Sequence, residues 1–160
     1  MVFGMSLATY TLVHVVISLI AILSGLVVAY GMLNGKRYDE VTAVFLLMTA
    51  ATSVTGFFFP VHRVSPAIKL GIISLVVLAI TILARYAFHL AGAWRRIYVI
   101  TAMLAFYLNV FALVAQSFAK VPALHALAPT LKEPPFTIAE LAVLVLFIVL
   151  TVLAARKFRA

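Results

Sequence analysis

The chain has 160 residues, 66% of them hydrophobic and only 10% charged, whereas soluble domains average about 45–50% and about 25%. A soluble monomer of one domain cannot hide that much apolar surface, so disorder, coiled coil and an ordinary soluble enzyme are excluded and lipid is the expected solvent. The formal charge of +8 lies in short gaps between apolar runs, with no soluble face on which basic and aromatic residues interleave, which argues against a nucleic-acid partner; the absence of cysteine removes disulfides, thiolate metal sites and covalently attached haem.

A hydrocarbon core about 30 Å thick takes about 20 apolar residues in a helix rising about 1.5 Å per residue, and five runs meet that length. The first, residues 5–32, is closed by Asn34-Gly35-Lys36-Arg37. It has no basic segment before it and no small-residue cleavage site, so it is expected to stay attached as a span rather than be removed as a signal peptide. The second, residues 41–60, ends at Pro60. The third, residues 67–91, has Pro66 just before it, a position that helix starts favour. The fourth, residues 97–119, follows Trp94-Arg95-Arg96, and the fifth, residues 137–155, runs into Arg156-Lys157-Phe158-Arg159. These runs are too long for buried strands, and an open sheet would leave edge groups unpaired in lipid. The predicted fold is therefore all-α: a polytopic membrane helical bundle of five transmembrane helices, one integral membrane domain over residues 1–160. No internal repeat is visible, which weakens an inverted-repeat transporter.

Basic residues near alternate ends of five spans divide unequally. Lys36, Arg37, Arg85, Arg95, Arg96, Arg156, Lys157 and Arg159 fall on the side of the carboxyl terminus, and Arg63, Lys69, Lys120 and Lys132 on the other. The richer side is expected to be cytoplasmic, which puts the amino terminus outside. Arg85, inside the third run, is expected to snorkel to the cytoplasmic headgroups.

One connection is long. The loop over residues 120–136 holds four of the six prolines, and loops of this length tend to be functional or to carry structure of their own. Its Val121, Leu124, Leu127 and Leu131, three and four apart, predict a short helix on the outer surface. That helix is either a lid over the bundle or an amphipathic connector on the headgroups.

Inside the spans the polar and small residues recur every three or four positions, which places them on one helical face. His14, Ser18, Ala21, Gly25 and Ala29 do so in the first span, and Thr42, Thr49, Ser53 and Gly56 in the second. Gly71, Ser74, Thr81, Arg85 and His89 follow in the third, and Thr101, Ala105, Asn109, Ala112, Gln116 and Lys120 in the fourth. Such stripes are expected to face one another, since lipid gives helices no hydrophobic reason to associate and small residues permit close contact.

Ionisable and amide side chains gather toward the outer end, and His14, Asn109, Gln116, Lys120, His125 and Glu140 are the candidate ligand pocket. Glu140 is the only carboxylate inside a predicted span and is either ion-paired, with Arg63 foremost among Arg63, Lys69 and Lys120, or free to hold a proton or ligand. His14 and His62 from different elements are a candidate pair for haem b, and a divalent metal on His14, His62, His125 and Glu140 has suitable ligand types without motif spacing. No hydrolase elbow, zinc-protease motif, phosphate loop or dinucleotide fingerprint is present, so no catalytic residue is assigned.

The stretches Gly71-Ile72-Ile73-Ser74-Leu75, Leu90-Ala91-Gly92-Ala93-Trp94-Arg95 and Tyr107-Leu108-Asn109-Val110-Phe111, with Lys120-Val121-Pro122-Ala123-Leu124 and Glu133-Pro134-Pro135-Phe136, resemble a widespread group of small uncharacterised bacterial inner-membrane proteins. The resemblance implies a bacterial inner-membrane location and transfers no activity or site residue. The run over residues 14–31 also resembles the opening of small cytochrome-b-like membrane proteins. The expected function is a non-catalytic integral membrane protein, a small-ligand- or partner-binding subunit of a larger membrane complex. Its expected partners are the lipid bilayer and other membrane subunits or further copies of the chain. The rivals are a haem- or quinone-linked redox subunit and an oligomeric channel or proton-conducting protein.

Overall fold

The computed structural model describes residues 4–58 and 66–158. Among these residues the secondary structure is almost entirely helical. Helix α1 (Leu7–Leu33) opens on Ser6, whose hydroxyl accepts the Thr9 amide at 3.2 Å, and stops at the Asn34-Gly35 turn, where Gly35 takes φ +70°. The Ser6 hydroxyl thus satisfies one of the amides every helix start leaves over. Helix α2 (Asp39–Gly56) begins directly after Tyr38 in a left-handed conformation. Helix α3 (Pro66–Ile82) widens into a π-helical turn, Leu83–Ala87, in which the Phe88 amide reaches back to the Leu83 carbonyl at 2.9 Å. Helix α4 (Trp94–Lys120) is followed by the short α5 (Pro122–Leu127), and α6 (Pro134–Lys157) starts on two prolines.

Contacts fix the helix directions. The Tyr10 hydroxyl, near the start of α1, donates to the Thr55 carbonyl near the end of α2, and Asp39 at the start of α2 pairs with Arg85 at the end of α3. Arg95 at the start of α4 reaches the last carbonyls of α6, while Phe118 near the end of α4 packs edge-on to Phe136 at the start of α6. The long helices thus alternate up and down. One end of the bundle gathers Lys36, Arg37, Arg85, Arg95, Arg96, Arg156 and Lys157 and is called the basic end below. The opposite end holds His14, Lys120, the α5 loop and Glu140. Arg159 lies outside the described residues.

Beside an apolar core built around Phe45, Phe106 and Phe147, the bundle buries polar side chains and exposes many large apolar ones. Ser24, Thr42, Thr49, Ser53, Ser74, Thr81, Arg85, Asn109 and Glu140 are buried, whereas large apolar side chains such as Leu12, Leu23 and Leu26 of α1 and Ile138, Leu141, Val145 and Ile148 of α6 are exposed. That is the distribution expected where the surrounding solvent is hydrocarbon. The expected small-and-polar stripes do turn inward over much of their length. A Cβ added at Gly25 would come within 2.8 Å of the Phe106 ring, so the glycine is what lets α4 approach α1 so closely. Around this contact Phe106 packs edge-on to both Phe45 and Phe147, tying α2, α4 and α6 together.

Four helical segments, Leu7–Leu33, Ile68–Ala87, Trp94–Lys120 and Pro134–Lys157, are long and apolar enough to cross a membrane. These boundaries lie close to the first, third, fourth and fifth predicted runs, with α4 and α6 extending into flanking residues on both sides. The third run departs most. Helical structure ends at Ala87 rather than continuing to residue 91, because His89 and Leu90 take positive φ. The second helix, 18 residues opening on Asp39-Glu40, is not among the four. Its Thr42, Thr49 and Ser53 lower its hydropathy, yet all three are buried and face the bundle.

Arg85 corrects an expectation. Its residue exposure is 3%, so it does not snorkel: the π turn holds it inward against Asp39 and Tyr98. The helix expected in the long loop is present as α5. It packs on α4 and buries none of its residues.

Candidate functional site

The opposite end of the bundle carries the residues expected to form a pocket, and each is placed by its helix. His14, half-buried on α1, has Nδ1 2.7 Å from the Thr55 hydroxyl of α2. That hydroxyl also donates to its own helix at the Ala51 carbonyl, 2.7 Å away, so the pair ties α1 to α2. The Lys120 ammonium, exposed at the end of α4, interacts electrostatically with the His14 ring. Asn109, 8% exposed, donates its amide to the Thr49 hydroxyl at 3.1 Å and so joins α4 to α2. Gln116, two stripe positions further along α4, is exposed. His125 is exposed on α5 with Nδ1 3.3 Å from the Phe118 carbonyl. The six candidates therefore do not share one environment: Asn109 and Glu140 are buried, and Gln116, Lys120 and His125 face outward.

Glu140 differs from all the others. It is 8% exposed, both carboxyl oxygens are fully covered, and neither has a hydrogen-bond partner among the described residues. Tyr107 of α4 is close enough to interact with it electrostatically. A buried carboxyl with no donor is costly, and in a membrane helix such a group marks functional sites more often than packing. Arg63, the expected ion-pair partner, and His62, the second member of the expected haem pair, lie outside the described residues. Among the described residues no group of three or more His, Asp or Glu side chains gathers as a metal site.

At the basic end the structure shows a cluster that the sequence reading missed. Arg85 Nη2 forms an ion pair with Asp39 Oδ1, Nη1 donates to the Tyr98 hydroxyl at 3.0 Å, and the guanidinium carbon lies 5.2 Å from the Tyr98 ring centroid and 5.8 Å from that of Tyr86. The same Asp39 oxygen receives Arg37 Nε at 3.3 Å. A buried guanidinium needs this kind of enclosure, because a desolvated charge is tolerated only when paired and hydrogen-bonded. The signal was present in part: Asp39 opens the second helix and Arg85 closes the third, which antiparallel packing brings to one level. The helical period also sets Arg85 on one stripe with Ser74 and Thr81, which are buried as it is. Nearby, Arg95 Nη1 donates to the carbonyls of Phe158 at 2.5 Å and Ala155 at 3.3 Å. It thereby satisfies acceptors that the end of α6 cannot pair internally.

The loop between α5 and α6 is held by its own turn. Glu133 accepts the Thr130 hydroxyl at 2.6 Å, the Thr130 amide at 3.1 Å and the Lys132 amide at 3.0 Å. The Thr130 hydroxyl bond is the main cause holding the Glu133 carboxyl below its ordinary pKa, because these bonds favour its charged form.

Comparison with protein-family models, with curated proteins and with solved structures finds no match for this chain.

Proposed function

We propose that the chain is a non-enzymatic integral membrane protein of a bacterial inner membrane. In this reading it crosses the bilayer five times with its amino terminus outside, and binds a small ligand or a partner subunit at its outer end through Glu140. The observation that carries the reading is the pair of buried Glu140 oxygens without a hydrogen-bond donor among the described residues. Every other buried ionisable side chain among the described residues has a partner of its own, so this carboxyl is the group left to meet something else. His14 and Lys120 lie toward the same end.

Five crossings are favoured by the placement of α2. Eighteen residues rise about 27 Å, close to the hydrocarbon thickness. Helix α2 is flanked by α1 and α3 along its length, from Asp39 beside Arg85 to Thr55 beside Tyr10 and His14. Its acids lie at its end and its hydroxyls inside, so it offers lipid a mainly apolar face. The gathering of basic residues at one end supports placing that end in the cytoplasm.

Native mass spectrometry of the wild-type chain and of Glu140→Gln, extracted in the same detergent, tests the reading. A small-molecule adduct or a second protein chain should ride on the wild type and be lost from Glu140→Gln while its helical circular dichroism is retained. A bare wild-type chain, or the same adduct on both proteins, would sink it.

A further inference from the structure

Two shallow depressions flank the end of α6 at the basic end. The first, 390 Å³, is lined by Arg95 and Arg96 of α4 and by Val152, Ala155 and Arg156 of α6; the second, 400 Å³, borders Arg156 on the other side. No carboxylate lines either. The chain has four acidic residues in all. Asp39 is held by Arg85 and Arg37, Glu40 beside it at the start of α2 lines neither depression, and Glu133 and Glu140 lie at the opposite end. Arg95 is fixed by its bonds to the Ala155 and Phe158 carbonyls, which holds the wall of the first depression in place without neutralising it.

What leads away from this depression is apolar and exposed. On α6 the residues Val145, Val149 and Val152 repeat at spacings of four and three and end at Arg156, and on α4 Ile100 and Leu104 continue from Arg96 at spacings of four. Such spacings place each set on one helical face. Because α4 and α6 run antiparallel, both stripes start at the guanidinium groups and run toward the middle of the bundle. The shape is a charged head site opening onto two apolar tracks.

From this arrangement we infer that the groove between α4 and α6 binds an anionic diacyl phospholipid, with its phosphate on Arg95, Arg96 and Arg156 and its acyl chains along Val152–Val149 and Ile100–Leu104. Guanidinium groups suit phosphate because their planar donors match its oxygens, and basic pockets between helices at the cytoplasmic side are the membrane setting in which lipid headgroups are recognised. The inference is independent of Glu140, which belongs to the other end.

Trp94 is the only tryptophan and begins α4 immediately before Arg95, so its fluorescence reports on this level of the bilayer. The full-length protein is reconstituted into phosphatidylcholine vesicles containing equal fractions of brominated phosphatidylglycerol or brominated phosphatidylcholine. Phosphatidylglycerol should quench Trp94 with about tenfold higher apparent affinity. The double variant Arg96→Gln/Arg156→Gln should remove that preference. Lys36→Gln/Arg37→Gln takes two charges from the same end but from neither wall of the first depression, and should keep most of it. Equal quenching of the wild type by the two lipids overturns the inference, as does an equal loss in both double variants, which would mean a diffuse attraction to the whole basic end.

Discussion

The two ends of the bundle treat a buried charge-bearing group in opposite ways. At the basic end Arg85 is enclosed by Asp39, Tyr98 and Tyr86. At the opposite end Glu140 is equally hidden, and neither oxygen has a hydrogen-bond partner among the described residues. Two groups equally buried thus differ in the state of their hydrogen-bonding capacity. Arg85 is a structural clamp that holds α2, the π turn and α4 at one level, whereas Glu140 ties no helix to another through a hydrogen bond among the described residues.

The largest effect should come from breaking the clamp on its acidic side. Asp39→Ala leaves the Arg85 guanidinium buried with Tyr98 as its remaining hydrogen-bond partner. Removing one partner of a fully buried pair costs about 3–5 kcal/mol. Asp39 is itself two-thirds exposed, so water recovers part of that, and a loss of about 2 kcal/mol is expected. Arg85→Met should cost less, because it removes the desolvated charge along with the pair. Thermal unfolding in one detergent measures both, and a larger loss in Arg85→Met than in Asp39→Ala would mean that Arg85 serves by packing rather than by charge.

At the other end the sign should reverse. Glu140→Leu removes a carboxyl that has no hydrogen-bond partner among the described residues and leaves apolar volume, so stability should rise by about 1 kcal/mol. A fall of the size seen in Asp39→Ala would show that Glu140 is held by a partner after all and would erase the contrast between the ends. Stability gained together with a lost adduct in native mass spectrometry would sharpen it, since groups kept for binding are commonly kept at a cost in stability.

The contrast was only half legible in the sequence. Glu140 stood out because it is alone: one carboxylate in a long apolar run needs no tertiary knowledge to be noticed. The Arg85 cluster was missed because its partner lies 46 residues away, although Arg85 shares a helical stripe with the buried Ser74 and Thr81. Helix ends were readable where glycine or proline punctuates the chain, as at Gly35 and Pro66, whereas α6 starts three residues before the predicted 137, at Pro134. They were least readable after Ala87, where the positive φ values fall on His89 and Leu90 rather than on a glycine. Helix α2 shows the limit of averaging: hydropathy counts Thr42, Thr49 and Ser53 against a membrane helix, while packing hides all three. The six pocket candidates were grouped by depth alone, which says nothing of the direction a side chain takes; Asn109 turned inward to Thr49 and Gln116 turned out.

The smallest expected effect separates the loop from the bundle it adjoins. Glu133 accepts bonds from Thr130 and Lys132, and its pKa is lowered by them. A lowered carboxyl contributes its stabilisation above the unfolded pKa of about 4.3, and loses it as pH falls through the lower folded value. Hydrogen exchange at the Thr130 and Lys132 amides, corrected for the intrinsic pH dependence of exchange, should therefore lose protection in acid below about pH 4 and keep it at neutral pH. Glu133→Gln should abolish that pH dependence. Because the turn lies outside the bundle, the same acidification should leave the protection of α4 amides near Asn109 unchanged. Loss of protection in both regions together would mean that α5 and its turn are coupled to the buried end, and that the loop senses what happens at Glu140.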